Sequence, residues 1–301
     1  VLEEDFGGSN HMENVTKLLI GKTCMVTGAN AGIGRSIALG LAKMGATVVM
    51  VCRNRERGEA ALTEIKRESG NDAVSLLLAD LSSQAAIQQL AQDFKARYPT
   101  LHVLINNAGI VLKKRILTDD KLEIQFAVNH LAYFLLTNLL LDDLKASAPA
   151  RIVNVSSQAH QGVSIDFDDL QSERSYRRTH VYAWTKLANV LFTYELARRL
   201  EGTQVTANCL HPGLIATSLI GDYIPRPLRF MTKIVGASPE RGAQTPLYLA
   251  TSREVEGVSG KYFVDRKAVP SSNASYDTTT ASRLWRVSAE LTGLPAYGGT
   301  Q

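Results

Sequence analysis

The apolar run Thr23-Cys24-Met25-Val26 passes without a break into Thr27-Gly28-Ala29-Asn30-Ala31-Gly32-Ile33-Gly34, and a helical pattern follows from Ile33 to about Met44. A strand, a glycine-rich turn and a helix in that order fit few architectures. Gly28 permits a tight turn, Gly32 lets backbone come close to a bound group, and Gly34 allows close packing. The helix N-terminus near Ile33 then offers unpaired N–H groups and a positive dipole end, a setting that suits phosphate. The spacing is Gly-x-x-x-Gly-x-Gly, not the commoner Gly-x-Gly-x-x-Gly.

Further strand-like runs alternate with helical ones. The strands are Thr47 to Val51, Val74 to Ala79, His102 to Ile105, Arg151 to Val155, Val205 to Leu210 and Lys261 to Val264. Helices are expected over Arg55 to Glu68, Ser83 to Tyr98, Lys121 to Lys145 and Tyr182 to Leu200. This alternation predicts an α/β class: a single-domain Rossmann fold with a doubly wound, seven-stranded parallel sheet and helices on both faces. No linker or repeat divides the chain. Residues 1–11 read as an expression-tag remnant and 12–301 as one domain. At 45% apolar and 21% charged, the composition is that of an ordinary globular protein.

Setting aside Glu3, Glu4 and Asp5 raises the formal charge of +4 by one for each. That mild, diffuse basicity suits an anionic small molecule and does not imply nucleic acid. No apolar run reaches the length of a transmembrane segment. Cys24, Cys52 and Cys209 are far apart in apolar surroundings, so they read as buried free thiols in a reducing, cytoplasmic setting. No His/Asp/Glu grouping has metal spacing, and His160, His180 and His211 read as structural.

Two features carry chemistry. Tyr182 and Lys186 are four residues apart on a helix and so share a face. A neighbouring ammonium favours the phenolate, which would lower the tyrosine pKa and make the pair an acid/base device. The second feature is Arg53, just after the second strand. NAD-binding folds place an acid there for the ribose 2′-OH. A guanidinium instead suits a 2′-phosphate, so the expected cofactor is NADP(H).

With these residues in hand, the chain resembles the short-chain dehydrogenase/reductase family across nearly all of Met12 to Tyr297. The matching segments run in order: the glycine turn, including Asn30 and Ile33; Asp80-Leu81-Ser82; Asn106-Asn107-Ala108-Gly109; Asn129 within Val128-Asn129-His130; and His211-Pro212-Gly213 through Thr217. The resemblance implies cofactor contacts from Gly28, Asn30, Gly32, Ile33, Gly34, Arg53, Asp80, Leu81, Asn107, Ala108, Gly109, Tyr182, Lys186, Pro212, Gly213 and Thr217. It also implies a catalytic tetrad of Asn129, Ser157, Tyr182 and Lys186, with Ser156 as the fallback serine. Within the family the likeness is to the retinol dehydrogenase-like branch. Its carriers are Ser156-Ser157-Gln158-Ala159-His160, Asp166-Phe167-Asp168-Asp169-Leu170, Lys186-Leu187-Ala188-Asn189 and Ser259-Gly260-Lys261-Tyr262-Phe263.

The implied activity is NADP(H)-dependent interconversion of a carbonyl and an alcohol. The apolar segment 214–237, where the family places its substrate lid, makes a lipophilic substrate the expectation, and homo-oligomers are common in the family. Two alternatives remain open at this stage: an NADP(H)-binding redox sensor or scaffold without turnover, and a reductase of activated C=C bonds.

Overall fold

The structure, a computed structural model, describes residues 18–213 and 238–295. The tag reading, Thr217 and the 214–237 lid all lie outside the described residues. The chain alternates β1 (Thr23–Thr27), α1 (Gly32–Lys43), β2 (Thr47–Cys52), α2 (Arg55–Ser69), β3 (Val74–Leu78), α3 (Gln84–Arg97) and β4 (Val103–Asn106). Three helical pieces follow, α4 (Ile124–Phe126), α5 (Ala132–Leu139) and α6 (Leu141–Ala146), with a π-turn, Ala127–Leu131, between the first two. Next come β5 (Ala150–Val155), α7 (Arg178–Arg199), β6 (Val205–His211), α8 (Pro239–Thr251), β7 (Tyr262–Val264), β8 (Lys267–Val269) and α9 (Thr278–Leu291).

The strands form one sheet in the order β3-β2-β1-β4-β5-β6-β7-β8. Alternate side chains feed two cores, as the two-residue period of a strand requires. Met25, Val49 and Leu104 point toward α3, α5, α7 and α9, where Phe94, Leu135, Phe192 and Trp285 cover them. Cys24, Val26, Met50 and Ile105 point toward α1, α2 and α8, against Ile37, Ile65 and Leu249. The three cysteines are free and buried.

Among the described residues the sheet has eight strands rather than the expected seven, and the last is antiparallel to β7. Lys267, Ala268 and Val269 are all exposed, so the strand carries no hydrophobic alternation to betray it. Its two-residue turn uses Asp265 and Arg266, both at positive φ (47° and 65°), in place of the Asn-Gly that usually announces such a hairpin.

The single helix expected over Lys121 to Lys145 is also corrected. Lys121 has φ 61° and lies outside it. Helix begins at Ile124, where Glu123 accepts a hydrogen bond from the Phe126 N–H at 2.8 Å. It widens through the π-turn and is interrupted at Leu140. Periodicity over a fully buried segment does not distinguish an α-helical turn from a π-turn, because every position of the turn is buried, Asn129 and His130 included. Two helices escaped the pattern although their starts were marked: α8 by Ser238 and Pro239, and α9 by Asp277, whose carboxylate caps Thr279 and Thr280.

Candidate active site

The strand order reverses between β1 and β4, so the loops leaving these two strands diverge and open a crevice. Every loop singled out in the sequence leaves the C-terminal end of a parallel strand. Gly28 follows β1, Arg53 β2, Asp80 β3, Asn107 β4, Ser156 and Ser157 β5, and Pro212 β6. Parallel pairing therefore gathers at one edge residues that are far apart in sequence.

On the crevice side, Gly28 (φ 68°) and Gly32 (φ 54°) hold the turn in a left-handed conformation. Gly34 cannot be enlarged: a Cβ there would sit 2.2 Å from the Gly28 carbonyl oxygen and 2.6 Å from Asn107 Nδ2. Asn107 locks the two loops together, its Nδ2 donating to the Thr27 carbonyl at 2.8 Å. Thr27 Oγ1 accepts from the N–H groups of Asn107 (2.9 Å) and Ala108 (3.1 Å). Asn30 and Ile33 flank the turn half-buried. Ala31, at the N-cap of α1, supplies no side-chain cap, and the first turn of this 12-residue helix holds no acid. Its leading N–H groups are thus left for an anion.

Arg53 is exposed at the end of β2 and has no hydrogen-bond or ion-pair partner among the described residues. Arg35, the nearest basic residue along α1, is instead tied to Glu64 (2.8 Å) and Glu68 (2.6 Å) of α2. Asp80 is exposed beyond β3 and turns its carboxylate onto the Ser82 N–H and hydroxyl. Leu81 packs half-buried against the core. Pro212 and Gly213 (φ 91°) leave β6 half-buried. The residues of this edge fit an extended, polyanionic dinucleotide.

On the other side, α7 brings Tyr182 and Lys186 to the same edge, with Nζ 5.6 Å from the Tyr182 ring centroid. The Ser157 side chain faces the Tyr182 phenol and pulls its pKa down. The neighbouring Ser156 is buried and its hydroxyl donates to the Lys186 carbonyl at 2.8 Å, which turns it away from the phenol. Asn129 lies in the π-turn; its Oδ1 accepts from Ile110 N–H at 2.8 Å, while its Nδ2 donates to Ile110 O and to Thr185 Oγ1. Gly109 joins the two halves, since a Cβ placed there would be 3.4 Å from Asn129 Oδ1 and 3.5 Å from Lys186 Nζ.

The electrostatics differ from the expectation in one respect. Burial raises Tyr182 above its ordinary pKa, and the opposing pull comes from Ser157 rather than from Lys186. Lys186 is itself lowered by burial to about 7, which leaves it only partly charged at neutral pH. Its Nζ donates to the Val155 carbonyl at 3.0 Å and sits 5.6 Å from the centroid of the Tyr133 ring. Tyr133 escaped the sequence reading. Its hydroxyl donates to the Ala108 carbonyl at 2.8 Å, and the signal that could have found it is its position four residues after Asn129.

Comparison with known proteins identifies the family. The sequence pattern described as short chain dehydrogenase matches residues 22–225. Retinol dehydrogenase 14 of Homo sapiens is 46% identical over 296 residues, covering 92% of this chain and 88% of that protein. Retinol dehydrogenase 12 of Homo sapiens is 46% identical over 278 residues, with coverage of 92% and 88%. Among solved structures, an uncharacterized protein from Mycobacterium Paratuberculosis has a TM-score of 0.76 at 32% identity, covering 94% of this chain and 97% of its own. A short chain dehydrogenase from Shigella flexneri, complexed with NADP, has a TM-score of 0.68 at 25% identity, covering 84% and 100%. On the family match over residues 22–225 and on relatives of 46% identity, the chain belongs to the short-chain dehydrogenase/reductase family of oxidoreductases, in the retinol dehydrogenase-like branch.

Proposed function

We propose that the protein is an NADP(H)-dependent oxidoreductase that interconverts a lipophilic aldehyde or ketone with its alcohol. When bound, the dinucleotide supplies or accepts the hydride. The chain's own residues do the rest. The α1 N-terminus and Arg53 would hold the phosphates, Arg53 as the group that selects the 2′-phosphate. Asn30, Ile33, Asp80, Leu81, Asn107, Ala108, Gly109, Pro212, Gly213 and Thr217 would complete the cofactor contacts. Ser157 donates a hydrogen bond to the substrate oxygen, and Tyr182 gives it a proton during reduction or takes one during oxidation. Lys186 is the source of proton exchange behind Tyr182, and Asn129 orders the backbone beside it.

The observation that carries this reading is the placement of the Ser157 side chain against the Tyr182 phenol at the edge where the glycine turn also opens, with Lys186 buried directly behind. The names of the relatives support a retinoid-like substrate class. The test is Tyr182→Phe, assayed with NADPH and NADH on retinaldehyde, a steroid ketone and an aliphatic aldehyde. Turnover should fall by roughly 10²–10⁴, with NADPH affinity nearly unchanged. Near-normal turnover in the purified variant would remove Tyr182 from its role, and reaction of small polar carbonyls alone would remove the lipophilic class.

A further inference from the structure

Ser157 sits in an exposed turn, and little of its immediate surroundings explains why it should stay in place. It is the N-cap of a three-residue 3₁₀ turn, Gln158–His160, followed by a long irregular segment that runs to Arg178. A single turn of this kind is not self-sustaining. Gln158 and Ala159 are exposed, whereas His160 is completely buried.

His160 is bonded at both ring nitrogens. Nδ1 lies 2.7 Å from the Ser157 carbonyl oxygen, and Nε2 lies 3.1 Å from the Ser272 N–H. A carbonyl only accepts and an amide N–H only donates, so the two partners together specify the neutral tautomer with its proton on Nδ1. The His160 N–H also donates to the Ser157 carbonyl, at 3.2 Å. The ring packs 4.8 Å, centroid to centroid, from Tyr262 of β7. Burial lowers the His160 pKa, in keeping with a neutral ring.

Resting on the catalytic role of Ser157 given above, we propose that His160 is a positioning residue that clamps the Ser157 turn to the Ser271–Tyr276 loop and so fixes the serine hydroxyl against Tyr182. The serine pair is then anchored from two sides. Ser156 ties it to α7 through the Lys186 carbonyl, and His160 ties it to the C-terminal part of the chain across 112 residues. The clamp acts on the backbone of Ser157 and leaves its hydroxyl available for substrate. A reacting group displaced by about 1 Å loses on the order of 10² in rate, so a clamp of this kind is read in kcat rather than in cofactor affinity.

The test compares His160→Asn, whose amide N–H occupies the place of Nδ1 and restores the bond to Ser157, with His160→Gln, whose amide reaches the place of Nε2 and restores only the Ser272 side. His160→Leu removes both. The assay is NADPH oxidation with the fastest-reacting member of the retinaldehyde, steroid ketone and aliphatic aldehyde panel, with NADPH Kd measured in parallel. His160→Leu should lower kcat roughly 10²-fold at unchanged NADPH Kd, His160→Asn should regain most of the loss, and His160→Gln should regain less. In a Ser157→Ala background, His160→Leu should cost little more, because a residue acting through Ser157 has nothing left to position.

The proposal is overturned if His160→Gln equals or exceeds His160→Asn, a comparison that stands even if the leucine variant fails to fold. It is also overturned if the losses of His160→Leu and Ser157→Ala multiply. A normal Ser157→Ala enzyme, or no turnover by the unmodified chain, would instead overturn the functional reading beneath it. An inactive Ser157→Ala beside an unaffected His160→Leu would sink the clamp alone.

Discussion

The crevice around the glycine turn and the pocket around Tyr182 share the Asn107–Gly109 turn, yet they are built by opposite means. The crevice works by what is missing. Gly28, Gly32 and Gly34 have no side chains, α1 has no N-cap side chain, and Arg53 has no partner among the described residues. The pocket works by side chains that are nearly all engaged. Asn129, Ser156, Ser157, Lys186 and His160 each have a named hydrogen-bond partner, and most are buried. A binding surface for a polyanion needs unsatisfied donors and backbone that can be approached. A proton-transfer site needs groups held in place, because its rate depends on their separation. The two halves should therefore fail differently.

The largest effect is expected in the crevice from adding one methyl group. Gly34→Ala drives a Cβ to 2.2 Å from a backbone carbonyl. It should cost about 3 kcal/mol of stability, toward the upper end for overpacking, and abolish NADPH binding; thermal unfolding and NADPH fluorescence titration measure both. Removing Arg53 is gentler. Arg53→Ala should raise KM for NADPH by roughly 10–10², the worth of a charge-assisted contact, while leaving KM for NADH alone. Equal effects on the two cofactors would take the 2′-phosphate away from Arg53.

In the pocket, Lys186→Met separates function from stability. Burial takes Lys186 from 10.5 to about 7. Below about pH 7 both folded and unfolded chains bind the proton, and the folded state bears the full cost of a buried cation. Between about 7 and 10.5 the unfolded chain holds more protons, so stability rises with pH. The urea midpoint of the unmodified protein should climb across that window relative to Lys186→Met, which should be inactive yet no less stable at neutral pH. A flat difference would mean that Lys186 is better solvated than its burial indicates. The smallest effect is Ser156→Ala, which loses one hydrogen bond to the Lys186 carbonyl. About 1 kcal/mol of stability should go with turnover largely kept, in contrast to Ser157→Ala; a kcat collapse in Ser156→Ala would exchange the roles of the two serines.

Much of this was legible in residue order. The first seven strands and the helices α1, α2, α3 and α7 follow from short apolar runs alternating with helical patterns, because the central strands are buried on both faces and read as continuous apolar stretches. The glycine turn and the Tyr182/Lys186 spacing are local and could be read directly. The eighth strand could not, since Lys267–Val269 is exposed and its turn uses Asp265 and Arg266 at positive φ. Nor could the π-turn at Asn129, which no hydrophobic pattern encodes. Ser156 and Ser157 were indistinguishable as neighbours, and only the packing of β5 against α7 turned one hydroxyl onto the Lys186 carbonyl and left the other for Tyr182.

The amino-acid sequence alone determined the class of fold, the position of the glycine turn and the pairing of Tyr182 with Lys186 on one helix face, because these rest on spacing within a turn or two of chain. Tertiary structure alone decided how charged Lys186 is, which serine faces the phenol and what His160 holds. Those properties depend on desolvation and on partners as distant in sequence as Ser272, and neither is visible until parallel strands bring their ends to one edge.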